Sequence, residues 1–333
     1  MPDNDPPTRH YRWDPRKLGC GYNVRTMSTP HPIELVFRHV DGIDISMDIY
    51  LPKETSAKSI PVILWWHGGG LIQGTRKGIS PHLVLAPDRH QLCVVSADYR
   101  LAPQSRFPEI LSDCKAAIDF LHSPSFRAAT NNRVDASKLV VSGSSAGGWL
   151  SLLVGNGIGY EACGLESPAS QVRGIAAIYP ISALNDPFWT DKKEKAAYFE
   201  RTIAHEEMAE YLDPKAPKVA SSSLDSPRWM FYTYMVQEGI LADLLLGGTS
   251  ISPEEFSVGP QIKIGRFTPA PTYLVHGTID TKVPFSQATA VVDAYKEKGV
   301  DVDFHVMTVE HGFDGAGMYR LDRMYDFVKK VVR

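Results

Sequence analysis

The chain has 333 residues, of which 43% are hydrophobic, and its formal net charge is −3. This size and hydrophobic content predict one large domain with a substantial core and a smaller accessory part. The slightly acidic balance gives no electrostatic reason to expect nucleic acid or an anionic membrane as a partner.

In chain order, the sequence predicts strands that alternate with helices. Residues 34–51 have the pattern of two strands joined at Asp41-Gly42, a pair typical of a hairpin turn. Apolar spacing predicts a helix over 108–122 and a last helix over about 317–332. Further strands are predicted for the apolar runs at 60–67, 92–96, 139–142, 175–179, 273–277 and 303–307. Strands separated by helices predict an α/β fold whose mostly parallel sheet is covered on both faces.

The segment His67-Gly68-Gly69-Gly70 ends the first of these apolar runs. Three glycines after a strand are compatible with a plain flexible turn. The functional interpretation is an oxyanion hole, in which the backbone N–H groups of Gly69 and Gly70, with that of Ala146, stabilise a developing negative charge. In this interpretation His67 and Gly68 shape the loop and take no part in the chemistry.

The segment Gly143-Ser144-Ser145-Ala146-Gly147 is the most informative motif. Its G-x-S-x-G pattern alone arises by chance in roughly one chain in six of this length. Here it lies between a predicted strand and a predicted helix, the context of a nucleophile elbow. Gly143 and Gly147 would allow strand and helix to approach closely, and Ser145 would be the nucleophile.

Two late predicted strands are followed by an acid and a histidine. Asp280 follows the strand at 273–277, and His311 follows the strand at 303–307. A histidine before glycine is often only a surface loop residue, but the chain order Ser, Asp, His is that of the α/β-hydrolase catalytic triad. His311 would be the general base for Ser145, and Asp280 would orient His311. Asp303 and Asp314 are the alternative orienting acids.

The alternation of strands and helices stops between Tyr179 and Tyr273, which predicts an inserted segment. Helical patterns lie near 194–212 and 228–246. We expect most of its aromatic residues to form the segment's own core and a minority to line an apolar pocket over Ser145: Phe188, Trp189, Tyr198, Phe199, Trp229, Phe231, Tyr232 and Tyr234.

Three motifs together resemble the hormone-sensitive-lipase-like esterases of the α/β-hydrolase fold. They are His67–Gly70, Gly143–Gly148 and Asp98-Tyr99-Arg100-Leu101-Ala102-Pro103. The chain departs from the family at two positions that perform no chemistry. Ser144 stands where the family usually has an acid, and Gln104 stands where it usually has Glu.

The resemblance extends from about residue 34 to the C-terminus and implies a domain organisation. The catalytic domain would comprise residues 34–180 and 266–333, with a helical cap over 181–265 and an N-terminal part of the cap over 1–33. The resemblance also makes a homodimer plausible, through the last strand or helix.

The predicted function is a serine carboxylesterase that hydrolyses small to medium uncharged esters through an acyl-enzyme, without a cofactor. The alternatives are an amide, lactone or thioester substrate of a specialised metabolite, a non-hydrolytic reaction, and ligand binding in the same pocket. We expect no metal, because the cysteines lack ligand spacing; they are Cys20, Cys93, Cys114 and Cys163. No signal peptide or transmembrane segment is evident in the sequence, so we expect a cytoplasmic protein.

Overall fold

The computed structural model describes residues 31–54, 59–223, 226–300 and 302–333. Their strands belong to one eight-stranded sheet. The strands are β1 (Ile33–Val40), β2 (Ile43–Tyr50), β3 (Ile60–Trp66), β4 (Cys93–Ala97), β5 (Val134–Ser144), β6 (Val172–Ile178), β7 (Thr272–Gly277) and β8 (Val302–Met307).

The helices connect these strands and also form the long segment between β6 and β7. They are α1 (Pro81–His90), α2 (Phe107–Leu121), α3 (Pro124–Ala129), α4 (Ala146–Asn156), α5 (Pro187–Thr190), α6 (His205–Leu212), α7 (Trp229–Glu238), α8 (Leu241–Leu246), α9 (Val258–Ile264), α10 (Phe285–Glu297) and α11 (Asp322–Val331).

The order of strands in the sheet is β1-β2-β4-β3-β5-β6-β7-β8. β2 pairs antiparallel with β1 and β4, and the remaining neighbours pair in parallel. The β1–β2 hairpin turns at Asp41 and Gly42, whose φ angles of 53° and 76° suit a two-residue turn that follows the twist of the strands. The predicted α/β fold with a mostly parallel sheet is therefore confirmed.

The core lies on both faces of the sheet, because successive side chains of a strand point in opposite directions. In β3, Ile63 and Trp65 pack into the apolar cluster that contains α1 and α11. Val62, Leu64 and Trp66 pack into the larger cluster that contains α2, α4 and α10. Helices thus cover both faces, as the sequence predicts, and leave the strand ends to carry loops.

The structure differs from the sequence-based expectations in its helices. α1, α3, α5, α9 and α10 have no predicted counterpart. The helical pattern at 194–212 becomes a helix only from His205, and the pattern at 228–246 divides into α7 and α8 at Gly239. Gly239 has φ 68°, a left-handed conformation that ends a helix. The last helix starts at Asp322, five residues later than predicted, because Leu321 at its N-terminus also has a positive φ.

Helices α5 to α9 lie between β6 and β7, where the sequence predicts an insertion over 181–265. We call this segment the insertion. The predicted N-terminal part of the cap falls mainly on residues 1–30, outside the described residues, as does Cys20. Cys93 and Cys114 are buried thiols, as expected. Within the described ranges, no helix is long and apolar enough to cross a bilayer.

Candidate active site

Ser145 lies in the sharp turn between β5 and α4. Its backbone has φ 58° and ψ −118°, a conformation that costs a non-glycine residue roughly 1–3 kcal/mol. The Ser145 N–H donates to the carbonyl of Ile178 at the end of β6, at 2.8 Å. The turn is therefore held against the neighbouring strand, and the side chain of Ser145 lies at the carboxyl-end edge of the sheet.

Two glycines make this turn possible by removing steric conflict. A Cβ at Gly143 would lie 2.2 Å from the backbone of Gly147, and a Cβ at Gly147 would lie 2.0 Å from the carbonyl oxygen of Trp66. Neither distance is compatible with a side chain, so strand and helix approach as closely as the motif predicts.

The His67–Gly70 loop lies directly beside Ser145. A Cβ at Gly68 would be 3.1 Å from the Cβ of Ser145. Gly69 and Gly70 have φ angles of 105° and 66°, which favour glycine. Among the hydrogen bonds of the described residues, none is donated by the backbone N–H of Gly69, Gly70 or Ala146. These N–H groups are thus not committed to an acceptor within the described part of the chain.

His67 and Tyr99 stabilise the His67–Gly70 loop through a ring stack and hydrogen bonds. Their rings stack with centroids 4.3 Å apart, and the Tyr99 hydroxyl donates to the His67 carbonyl at 2.8 Å. His67 Nδ1 lies 2.8 Å from the Gly68 carbonyl. Burial lowers the pKa of His67, which favours its neutral form. These contacts fit the expectation that His67 shapes the loop.

Asp280 and His311 are joined by a hydrogen bond. His311 Nδ1 lies 2.7 Å from Asp280 Oδ2, and Asp280 Oδ1 accepts the backbone N–H groups of Lys282 and Val283, each at 2.9 Å. Burial by itself would raise the pKa of Asp280, but the charge of His311 and the hydrogen bonds to the carboxylate outweigh burial and lower it. Asp280 is therefore a fixed anion beside the imidazole.

His276 is a further neighbour of this carboxylate that the sequence analysis does not single out. It is fully buried, with Nε2 at 3.2 Å from Asp280 Oδ2 and 3.1 Å from the Val283 carbonyl. Both neighbours of Nε2 are acceptors, so Nε2 carries the proton. Only its position, four residues before Asp280 at the end of a strand, could have indicated this contact.

The two alternative acids have other partners. Asp303 pairs with Arg323 at 2.5 Å, and Asp314 accepts the hydroxyl groups of Ser80, Ser144 and Tyr179. Among the three candidate acids, Asp280 is the one that the structure brings to His311.

Tyr179 adjoins both the serine turn and the histidine. It follows Ile178, the residue that accepts the Ser145 N–H, and its ring centroid is 4.4 Å from that of His311. The structure contains no hydrogen bond between Ser145 and His311, both of which are described. Such bonds are often long before substrate binds.

The insertion reaches the site through Tyr232 of α7. A Cβ at Gly70 would lie 2.9 Å from the Tyr232 ring, and the Tyr232 hydroxyl donates to the Lys282 carbonyl at 2.8 Å. Tyr232 therefore contacts both the glycine loop and the loop that carries Asp280. Of the other aromatic residues of the insertion, Trp189 and Phe231 are fully buried in the larger apolar cluster.

The described residues contain no group of three histidine, cysteine, aspartate or glutamate side chains that could hold a metal ion. Two surface cavities, of about 330 and 560 Å³, lie elsewhere and are not lined by Ser145, Asp280 or His311. The ends of the strands thus bring together Ser145, the Asp280–His311 pair and the His67–Gly70 loop.

Comparison with protein families gives two matches. The model of the BD-FAE family matches residues 47–216, about half of the chain. The model of the prolyl oligopeptidase family matches residues 255–333. The two matches include Ser145 and the Asp280–His311 pair, respectively.

The curated relatives include several fungal polyketide synthases. A non-reducing polyketide synthase from Acremonium egyptiacum is 28% identical over 299 residues, which are 81% of this chain and 14% of that protein. One from Penicillium brevicompactum is 29% identical over 338 residues, which are 88% of this chain and 15% of that protein. The chain spans about a seventh of the length of these relatives.

Solved structures share the fold at low sequence identity. An alpha/beta hydrolase superfamily protein from Enterococcus faecalis has a TM-score of 0.63 at 18% identity, covering 90% of this chain and 99% of its own. The butyrate-bound esterase Est2 from Thermogutta terrifontis has a TM-score of 0.58 at 21% identity, covering 91% of this chain and 94% of its own. A structure from a study of two Rhizomucor miehei esterases has a TM-score of 0.58 at 19% identity, covering 91% of this chain and 85% of its own. These likenesses confirm the α/β-hydrolase fold.

Proposed function

The chain belongs to the BD-FAE family, and we propose that it is a serine carboxylesterase that hydrolyses small to medium uncharged esters through an acyl-enzyme. The observation that carries the proposal is the 2.7 Å hydrogen bond between His311 Nδ1 and Asp280 Oδ2, at the same sheet edge as the strained turn of Ser145. A serine, a histidine and a buried carboxylate in this chain order are the groups that acyl transfer requires.

In the proposed reaction, Ser145 attacks the ester carbonyl while His311 Nε2 accepts the serine proton. Asp280 holds Nδ1 protonated, which leaves Nε2 as the basic nitrogen, and its negative charge stabilises the imidazolium. His311 then protonates the leaving alcohol. Water hydrolyses the acyl-enzyme through the same groups, so no step calls for a cofactor.

The tetrahedral oxyanion would be stabilised by the N–H groups of Gly69, Gly70 and Ala146. The support is that these groups have no acceptor among the described residues and that the loop lies beside Ser145. Loss of one such donor typically costs about 3–4 kcal/mol of transition-state stabilisation.

The proposal includes a cap over residues 181–265 on a catalytic domain formed by 34–180 and 266–333. Its support is the contact of Tyr232 with both the Gly70 loop and the Lys282 backbone. The apolar insertion would exclude water and select the acyl group or the alcohol. Membership of the hormone-sensitive-lipase-like group, carried by the His67–Gly70 and Gly143–Gly148 motifs, is part of the same proposal.

Hydrolysis of p-nitrophenyl esters from acetate to laurate, by the wild-type chain and by Ser145→Ala, tests this function. We expect rapid release of p-nitrophenol that is lost in the variant, with a chain-length optimum that reports the depth of the acyl pocket. Equal rates in both proteins would exclude Ser145 as the nucleophile.

A thioesterase is the second candidate, and the polyketide synthase relatives favour it. Polyketide assembly carries its acyl chain as a thioester, and the same serine, histidine and acid would cleave one. Matched oxygen and thiol esters of one acyl group separate the candidates. A kcat/KM at least tenfold higher for the thioester, lost in Ser145→Ala, would favour the thioesterase; the reverse order would favour the carboxylesterase.

A further inference from the structure

Asp314 is a buried carboxylate that the proposed reaction does not use. It lies in a short 3-10 helix that begins two residues after His311, and it is 1% exposed. Its Oδ2 accepts the hydroxyl groups of Ser80 at 2.7 Å and Ser144 at 3.2 Å. Its Oδ1 accepts a hydrogen bond from the Tyr179 hydroxyl. We call these four residues the Asp314 cluster.

Two members of the cluster each adjoin one of the proposed reacting residues. Ser144 is the last residue of β5 and precedes Ser145 directly. Tyr179 packs its ring against the His311 imidazole, with centroids 4.4 Å apart. One carboxylate therefore binds the strand end that carries the nucleophile and the ring that packs on the general base.

The carboxylate is stabilised in its charged form. Burial alone would raise the pKa of Asp314, but the His82 imidazole and the hydroxyl groups of Tyr179 and Ser80 outweigh burial and lower the pKa. His82 Nε2 is 3.7 Å from Oδ2, beyond hydrogen-bond range. Hydrogen bonds to an ionised acceptor are shorter and stronger than neutral ones, so they fix their donors closely.

We propose that Asp314 is a positioning residue that sets the distance between Ser145 and His311 through Ser144 and Tyr179. This inference rests on the proposed roles of Ser145 and His311. The carboxylate itself touches neither reacting side chain. Asp314 lies three residues after His311 and bonds to the ends of β5 and β6. It therefore connects the segments that carry Ser145, Tyr179 and His311, whose relative positions must stay fixed during acyl transfer.

Variants that each lack one hydroxyl group test the proposal, each with a matched control. Ser144→Ala and Tyr179→Phe each remove one hydroxyl donor to Asp314. Ser142→Ala removes a buried hydroxyl of the same strand that donates to the Ala176 carbonyl at 2.8 Å. Tyr273→Phe removes a tyrosine hydroxyl that contacts His305 Nδ1 at 2.9 Å. The controls thus lose comparable bonds in the same sheet without touching Asp314.

We expect the kcat for p-nitrophenyl butyrate to fall about tenfold in Ser144→Ala and Tyr179→Phe, with KM within about twofold, because small misplacements of reacting groups cost rate rather than binding. Asp314→Asn should lower kcat on the order of 10²-fold. The two controls should keep kcat within about twofold. If all four single-hydroxyl variants lose kcat in proportion to their loss of Tm, the cluster is merely structural and the proposal is overturned.

A spectroscopic measurement separates this inference from the proposed function. The proton on His311 Nδ1, which bonds Asp280, has a resonance that reports the position of the ring whether or not the protein is an esterase. It should shift or broaden in Tyr179→Phe and Asp314→Asn and stay unchanged in Tyr273→Phe. An unchanged resonance in the first two variants overturns the positioning role. Full esterase activity in Ser145→Ala would instead reject the proposed function, while the resonance still decides the role of Asp314.

Discussion

Replacing Asp280 by asparagine changes the proposed triad at one atom, and the structure determines which one. Asp280 Oδ1 accepts two backbone N–H groups, from Lys282 and Val283. The asparagine oxygen must keep that place, because an amide NH₂ there would face two donors. The NH₂ group of the variant therefore faces His311 Nδ1 and His276 Nε2, where Oδ2 accepts in the wild type.

An amide donor opposite His311 favours the wrong tautomer. Nδ1 must then be the unprotonated nitrogen and Nε2 carries the proton, so Nε2 no longer accepts the proton of Ser145. The same change in a serine protease triad lowers kcat about 10⁴-fold. That factor corresponds to about 5 kcal/mol of transition-state stabilisation. We expect a loss of this order for Asp280→Asn in this chain.

The assay is the steady-state hydrolysis of p-nitrophenyl butyrate, with thermal unfolding measured on the same samples. The prediction requires kcat to fall by about four orders of magnitude while the variant stays folded at the assay temperature. A folded variant with kcat within tenfold of wild type would refute the reasoning. Asp303 and Asp314 would not rescue it, because they bind other partners.

Three further predictions concern the other groups of the site. Ser145→Ala and His311→Ala should each lower kcat by several orders of magnitude with folding intact, as measured by ester hydrolysis and circular dichroism. Gly147→Ala should prevent stable folding, because its Cβ would lie 2.0 Å from a carbonyl oxygen, whereas Gly78→Ala, with nothing within 4 Å, should unfold near the wild-type temperature. Because the folded pKa of Asp280 is lowered from 3.8, its charge stabilises the fold fully above that pH. The difference in unfolding free energy between wild type and Asp280→Asn should therefore shrink as the pH falls below about 4, as urea titrations would show.

A specific result would contradict each of these three predictions. Near-wild-type turnover in His311→Ala would remove the general base from the mechanism. A normal Tm for Gly147→Ala would mean that β5 and α4 are farther apart than described. A stability difference that grows on acidification would mean that Asp280 is destabilised, not stabilised, as an anion.

Much of the sheet could be predicted because its signals are local. Continuous apolar runs mark β3 to β7, since strands covered on both faces need no polar side. The hairpin turn at Asp41-Gly42 needs two positive φ angles, which that dipeptide tolerates. α10 is a helix that the prediction omits, although Ala288, Val291, Val292 and Tyr295 have helical spacing and are buried.

The insertion was predicted less well because its helices are short and depend on packing. α5 has four residues and α8 has six, too few for a periodic pattern to identify. Tyr232 looks like the neighbouring aromatic residues in sequence. Only packing decides that it lies against Gly70 while Phe231 is fully buried in the core.

The sequence alone determined the motifs of the candidate site, because the turn around Ser145 needs glycines at fixed offsets and therefore leaves a pattern in neighbouring residues. Partners separated by long stretches of chain leave no such pattern. The sequence named Asp280, Asp303 and Asp314 as acids for His311, and the fold brings Asp280 to it. Only the tertiary structure placed Asp314 beside Ser144, which is 170 residues away along the chain. Parallel strands end at one edge of the sheet, and their packing, rather than the order of residues, decides which side chains meet there.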